Sequence, residues 1–360
     1  MAHNLQDRFS KMVLAKIRKE LVLKDGVVFN NDYEGDPKAG AVKIPSRDTE
    51  VAVSDYDKAN GISASSGSTT YVTMNIDKDK AVNEVIDGYD AQAVPDNLVA
   101  DRLDSAGYSL AKQEDTDGGN VLVAAATAVN QATLTKDNIY GVIVDLRTKM
   151  SKANIPNDGK RYLLVTPDTL ALILKAPEFI KASDLGDAVV QTGAIGKIAG
   201  FLVIEWNDTT ANLAMVAGHP KFATRVREFS VPVHIQDLNG SGNYIGASAV
   251  QGREVYGHKV TRSVAINAVF VPGALTLAAA SSDSGKTVIT VTETATSAFK
   301  YVKNPSTLAK YGDAYVGTSL TSGTTKISVA EDDIIEVADL DSNGKVVNVG
   351  YHVVAATEIG

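Results

Sequence analysis

The chain has 360 residues, a net charge of −8, 44% apolar and 22% charged residues, and no cysteine. That length exceeds what one hydrophobic core usually organises, so two or three substructures are expected, and the acidic total argues against a protein whose main task is gripping nucleic acid over a broad face. Disulfide frameworks, thiolate nucleophiles and cysteine metal sites are excluded, no apolar run approaches the roughly 20 residues of a membrane span, and residues 1–24 lack the apolar core of a secretory signal.

Residues 5–24 read as a basic amphipathic helix, because Phe9, Val13, Ile17 and Leu21 recur every fourth position. Lys11, Lys16, Arg18 and Lys19 make this terminal arm basic, and it packs either on its own domain or on a neighbour. Residues 27–80 read as β structure with a long excursion. Val42 and Ile44, Val51 and Val53, and Val72, Met74 and Ile76 alternate with polar residues around a small-residue tip at Asn60-Gly61. A two-stranded ribbon of this length does not stabilise itself in water, so another subunit is the natural surface for it.

A helix follows, with Pro95 and Asp96 as its start signal. Val99, Leu103, Ala106 and Leu110 share one face, and Gly118-Gly119 is the expected stop. The next helix spans 135–152, with Ile139, Val142, Ile143, Leu146 and Met150 as its buried stripe. An α/β stretch then begins. Residues 161–165, 200–205 and 213–217 read as strands, Pro167 opens a helix through Leu174, and the alternation from Val260 to Phe270 reads as one further strand. Pro272-Gly273 marks a composition shift towards Thr, Ser, Val and Ala. Beyond it, strands near 286–292, 299–303, 325–329, 334–340 and 345–354, with an Asn343-Gly344 hairpin signal, predict a small immunoglobulin-like β-sandwich.

Motifs for chemistry are weak. The five histidines show no metal-ligand spacing, and no Gly-x-Ser-x-Gly elbow is present. Gly193 to Ile198 is too short for a phosphate loop and reads as a turn before the strand at 201–205. Asp339-Leu-Asp341-Ser-Asn343-Gly344 starts like a calcium loop, but Gly350 stands where the closing Glu belongs, which leaves an Asp-rich turn. The reading is therefore a non-enzyme without cofactor or metal.

The order of parts carries more information. Gly40-Ala-Val-Lys-Ile-Pro45, Tyr71-Val-Thr-Met-Asn-Ile-Asp77, Lys160-Arg-Tyr-Leu-Leu-Val-Thr-Pro-Asp168, Gly196 to Glu205 and Gly252-Arg-Glu-Val-Tyr-Gly257 stand in the order and spacing of one family. Over residues 1–272 the chain resembles the major capsid proteins of tailed bacteriophages, the Hong Kong 97-like fold. The resemblance implies an α+β subunit with an N-arm (1–25), an extended β loop (26–80), a peripheral domain with a long helix (81–134 and 251–272) and an axial domain (135–250). The β-sandwich (273–360) would be an addition on the outer surface.

Subunit-interface residues would be Phe9, Val13, Ile17, Arg47, Asp55, Tyr56, Asn60 and Tyr71, with Lys11, Lys16, Arg18 and Lys19 on the inner surface. Expected partners are copies of the chain in hexamers and pentamers, portal and scaffold proteins, and packaged double-stranded DNA through weak non-specific contact, with no membrane. The location would be the virion, after synthesis in the host bacterial cytoplasm. A Met at the first position points to a separate scaffold protein rather than a cleaved scaffolding segment. The alternatives are an encapsulin-like compartment subunit, a phage or cell-surface adhesin built around the sandwich, and an α/β enzyme.

Overall fold

The computed structural model describes residues 16–33, 40–46, 50–51, 53–63, 66–93, 98–177, 196–240 and 243–360. The chain divides into two compact units, Met1–Ala125 with Pro220–Arg262 and Ala126–His219 with Ser263–Gly360.

The first unit is organised around a three-stranded antiparallel sheet. Ser248–Val260 is central, between Lys78–Ile86 and Ala223–Asp237. The long helix Leu98–Ala125 lies on one face of this sheet. Its Ala106 is buried with Ile86 and Val250, and Leu98, Val99 and Leu103 pack against the same cluster. Burying a leucine such as Leu110, which is 5% exposed, contributes about 1.5–3 kcal/mol.

The helix does not stop at Gly118-Gly119. It runs on to Ala125, with both glycines and Leu122 buried. The reason is packing. A β-carbon at Gly118 would lie 3.1 Å from both the His258 ring and the Phe29 ring. The missing side chain makes room for these rings, at a helix-propensity cost of about 1 kcal/mol.

The amphipathic helix expected over 5–24 is not observed across its described part. Residues 16–24 carry no helix, and residues 5–15 lie outside the described residues. The segment follows the long helix, and its cations pair with carboxylates there. Val22 and Leu23 are buried at its inner end.

The ribbon is present at its root. Ala41–Ser46 pairs antiparallel with Thr70–Asn75 in a register that sets Ile44 opposite Val72 and Val42 opposite Met74. Ile44 and Met74 are buried against Val226, with Tyr33, Val42, Val72 and Ile76 around them. Regular pairing ends at Ser46 and Thr70, so Val51 and Val53 are not in a strand.

The second unit holds a six-stranded mixed sheet in the order Thr127–Asn130, Asn267–Phe270, Leu213–Gly218, Tyr162–Val165, Phe201–Glu205, Lys197–Ile198. Tyr162–Val165 is buried at every position, as its continuous apolar run requires. Helix Ile139–Lys152 buries Ile139, Ile143, Leu146 and Met150. Helix Pro167–Leu174 starts on an extended Thr166 with proline in its first turn, where the missing N–H costs nothing. Ala199 and Gly200, both with positive φ, form the turn between Lys197–Ile198 and Phe201–Glu205.

The single strand expected over 260–270 is broken. Ser248–Val260 ends in the first unit, Ser263–Ala265 forms a 3₁₀ turn, and Asn267–Phe270 joins the six-stranded sheet.

The C-terminal strands form two sheets. One runs Gly273–Ala274, Val346–Val353, Ile334–Leu340, Ala298–Lys303, Thr318–Leu320, and the other Leu277–Ser281, Lys286–Val291, Lys326–Ser328. Residues of both, including Ile289, Ile327, Phe299 and Val337, share one buried cluster, which is the sandwich core. The sandwich belongs to the same compact unit as the six-stranded sheet. The Asn212 side chain donates to the Val347 carbonyl at 2.5 Å, and the rings of Phe270 and Tyr311 stack at 5.4 Å.

Candidate assembly surfaces

The ribbon exposes several large apolar side chains of the first unit. Past its anchored root the side chains are bare, with Val53 at 97% and Tyr56 at 70% exposure. Val51, Ile62 and Tyr71 are also exposed. A tight turn closes the tip. Gly61 N–H donates to the Asp57 carbonyl at 2.8 Å, and the Asn60 side chain donates to the Asp57 carboxylate at 2.6 Å. The Ala59 N–H, with Asn60, holds the Asp57 carboxyl below its usual range. The turn is thus stiffened locally, while the apolar side chains behind it remain uncovered. Several large apolar side chains exposed on one short segment point to an interaction site.

The arm makes a second surface. Lys16 pairs with Asp101 at 2.7 Å and Arg18 with Asp104 at 2.5 Å. The Arg18 guanidinium also sits 4.8 Å from the centre of the Tyr108 ring, whose hydroxyl donates to the Lys19 carbonyl. Lys19 lies 3.8 Å from Asp115, and the Leu23 N–H donates to the same carboxylate. Three of the sequence-predicted basic residues are therefore brought together on the acidic side of the long helix. Ile17 points into solvent with full exposure.

At the inner end of the arm stands a charge cluster. Asp25 accepts from Arg225 and Arg227, and Glu114 accepts from Arg227 through both oxygens at 2.7 and 2.8 Å. These bonds raise the Arg227 pKa. Burial pushes the Asp115 and Glu254 carboxyls up. Tyr256 donates to Asp117 at 2.9 Å, and burial with that bond raises the phenol. His258 sits among these groups with neither ring nitrogen hydrogen-bonded, and burial pushes it down to about 4. The pairing of these residues was not readable in the sequence, because partners such as Asp25 and Arg225 are 200 positions apart. Two signals were available: the Arg225-Val-Arg227 pair in a strand and the adjacent Glu114-Asp115 carboxylates in the long helix.

Asp55, Tyr56, Asn60 and Tyr71 fall together on the exposed ribbon. Phe9, Lys11, Val13 and Arg47 lie outside the described residues. Among the described residues no group of three or more His, Asp or Glu could hold a metal ion. Among the described residues no helix is long and apolar enough to cross a membrane.

Comparison with known proteins addresses the fold. The model of a phage capsid protein family matches residues 84–274, just over half of the chain. The chain belongs to this family of phage capsid proteins. A solved structure from Mycobacterium phage Che8 is 25% identical to the capsid protein, with a TM-score of 0.62, covering 74% of this chain and 96% of that one. The capsid structure of cyanophage P-SCSP1u, 14% identical, gives a TM-score of 0.62 over 74% of this chain and 92% of its own. The asymmetric unit of the bacteriophage PhiM1 mature capsid, also 14% identical, gives 0.54 over 72% and 92%. No match is found among curated proteins. The capsid protein thus has the α+β, Hong Kong 97-like shell fold expected from the order of its parts, and it is a structural major capsid protein of the tailed-phage type. The family match ends at residue 274, where the sandwich begins.

Proposed function

We propose that the capsid protein assembles with copies of itself, as hexamers and pentamers, into an icosahedral shell around phage double-stranded DNA, and that it does so without catalysis. The observation that carries this is the ribbon. A subunit that leaves Val51, Val53, Tyr56, Ile62 and Tyr71 uncovered on a segment with no core of its own needs another surface to cover them. Many such contacts, each weak, add up to a stable container.

In this reading residues 1–25 are the N-arm and 26–80 the extended loop. The peripheral domain is 81–134 with 251–272, and the axial domain is 135–250. Residues 273–360 face the outside of the shell. Interface contacts come from Ile17, Asp55, Tyr56, Asn60 and Tyr71, with Phe9, Val13 and Arg47 from segments outside the described residues. Portal and scaffold proteins complete the partner set, and the chain is made in the host cytoplasm before it enters the virion. Lys16, Arg18 and Lys19 already neutralise carboxylates of the long helix. Their contribution to DNA contact is therefore small, and Lys11 is the remaining inner-surface cation of the set. Phosphate neutralisation by such cations is salt-dependent and blind to sequence.

The test is to express the full chain, determine its mass in solution, and image it by negative-stain microscopy. Closed shells or capsomers support the reading. A monodisperse monomer under all conditions, including added scaffold protein, contradicts it.

A further inference from the structure

The sequence contains three Asn-Gly pairs, Asn60-Gly61, Asn239-Gly240 and Asn343-Gly344. Asn-Gly is the dipeptide most open to self-modification. The glycine backbone nitrogen can attack the preceding carboxamide carbon, and no side chain on glycine obstructs it. The structure separates the three pairs by what holds the attacking nitrogen.

At Asn60 both reacting groups are held. Gly61 N–H donates to the Asp57 carbonyl at 2.8 Å, and the Asn60 carboxamide nitrogen donates to the Asp57 carboxylate at 2.6 Å. At Asn343 the nucleophile is also held, since Gly344 N–H donates to the Asp341 carbonyl at 3.0 Å. The Asn343 N–H and the Lys345 N–H both donate to the Asp341 carboxylate, which fixes this turn on either side of the pair.

Asn239 differs. The N–H of Gly240 has no hydrogen-bond partner among the described residues. The Asn239 side-chain oxygen accepts from the Gly246 N–H at 2.6 Å. That oxygen is the atom on which negative charge develops when the carboxamide carbon is attacked, and a fixed N–H donor lowers the energy of such an oxyanion. The residue is exposed, as is Gly240.

We propose that Asn239 is a site of spontaneous deamidation in this protein, and that Asn60 and Asn343 are protected by their turns. The Gly240 nitrogen gives its proton to solvent base and forms a bond to the Asn239 side-chain carbonyl carbon. The bond from that carbon to Nδ2 breaks, and ammonia leaves. Water then opens the cyclic imide at either carbonyl, which yields aspartate or isoaspartate. No oxidant, reductant or cofactor is required. The product places a new negative charge on the connection between Ala223–Asp237 and Ser248–Val260, which also carries Ile245 at 92% exposure and Tyr244 at 47%. The charge marks the age of the chain at an uncovered apolar tip.

The experiment incubates the native full-length protein at mildly alkaline pH and follows all three sites by peptide mass spectrometry with isoaspartate detection. Asn239 should convert roughly fivefold or more faster than either other site, the factor that one held hydrogen bond represents. Equal rates, or faster conversion at Asn60 or Asn343, would overturn the assignment. In concentrated urea the three rates should converge. A difference that survives unfolding would trace to local sequence and would also overturn it. The variant Gly240→Ala should slow conversion at Asn239 alone, and an unchanged rate there counts against attack by that nitrogen.

Discussion

His258 gives the sharpest stability prediction. It is 8% exposed, packed against Phe29, Tyr256 and Gly118, and surrounded by Arg225, Arg227, Glu114 and Asp117. Burial holds its pKa near 4 in the folded chain, against 6.5 for the free side chain. Well above pH 6.5 both states are neutral and the group is indifferent to pH. As pH falls from 6.5 towards 4 the unfolded chain binds a proton that the folded chain refuses, so stability is lost through that window. The ceiling is about 3.4 kcal/mol, and at pH 4.5 the loss is about 2.5 kcal/mol. In His258→Leu this loss should vanish, while at pH 7.5 the substitution should change stability by less than about 1.5 kcal/mol. The raised carboxyls of Asp115 and Glu254 work in the opposite direction as they take up protons, but they do so in both proteins and cancel in the difference. The single tryptophan, Trp206, lies in the other unit, so amide exchange of Ser248–Val260 is the appropriate probe. Parallel pH dependence in wild type and His258→Leu between pH 6.5 and 4.5 would refute the reasoning.

Two glycines of the long helix should respond in opposite ways. Gly107 has open space at its β-carbon position, so Gly107→Ala should stabilise by about 0.5–1 kcal/mol, whereas Gly118→Ala meets His258 and Phe29 and should destabilise by about 1–3 kcal/mol in chemical denaturation. Charge reversal at Asp101 and Asp104 should release residues 16–20 and speed protease cleavage there at low salt, with little change elsewhere; wild-type cleavage should approach the variant's as salt rises. Tyr311→Ala removes the stack on Phe270 and should lower the stability of the unit that carries Trp206 by about 0.5–1.5 kcal/mol, read by its fluorescence.

Elements with strong local patterns were legible in the sequence. The stripes of the long helix and of Ile139–Lys152, the buried run Tyr162–Val165 and the Asn343-Gly344 turn all appear where the pattern placed them. Failures arose where a distant partner overrides a local rule. Gly118-Gly119 looks like a stop until His258 and Phe29, from far along the chain, are seen to fill the space that Gly118 leaves. Residues 16–24 have a helical stripe, yet the acidic side of the long helix gives their cations a partner in a non-helical path. The run from Val260 to Phe270 alternates like one strand, but its two ends belong to different units and a 3₁₀ turn intervenes. The ribbon's exposed residues were readable because they lie around a small-residue tip, on a two-stranded segment too long to stabilise itself. The Asp25–Arg225–Arg227–Glu114 cluster was not, since charges reveal no pairing in sequence.

Removing the ribbon tip is the most direct trial of shell building as the protein's task. Deletion of residues 57–68 leaves the root pairing of Ala41–Ser46 with Thr70–Asn75 intact. Sedimentation of this variant beside the wild type should show a folded subunit that no longer forms large particles under conditions where the full chain does. Particles of normal size and yield from the shortened chain would contradict the account.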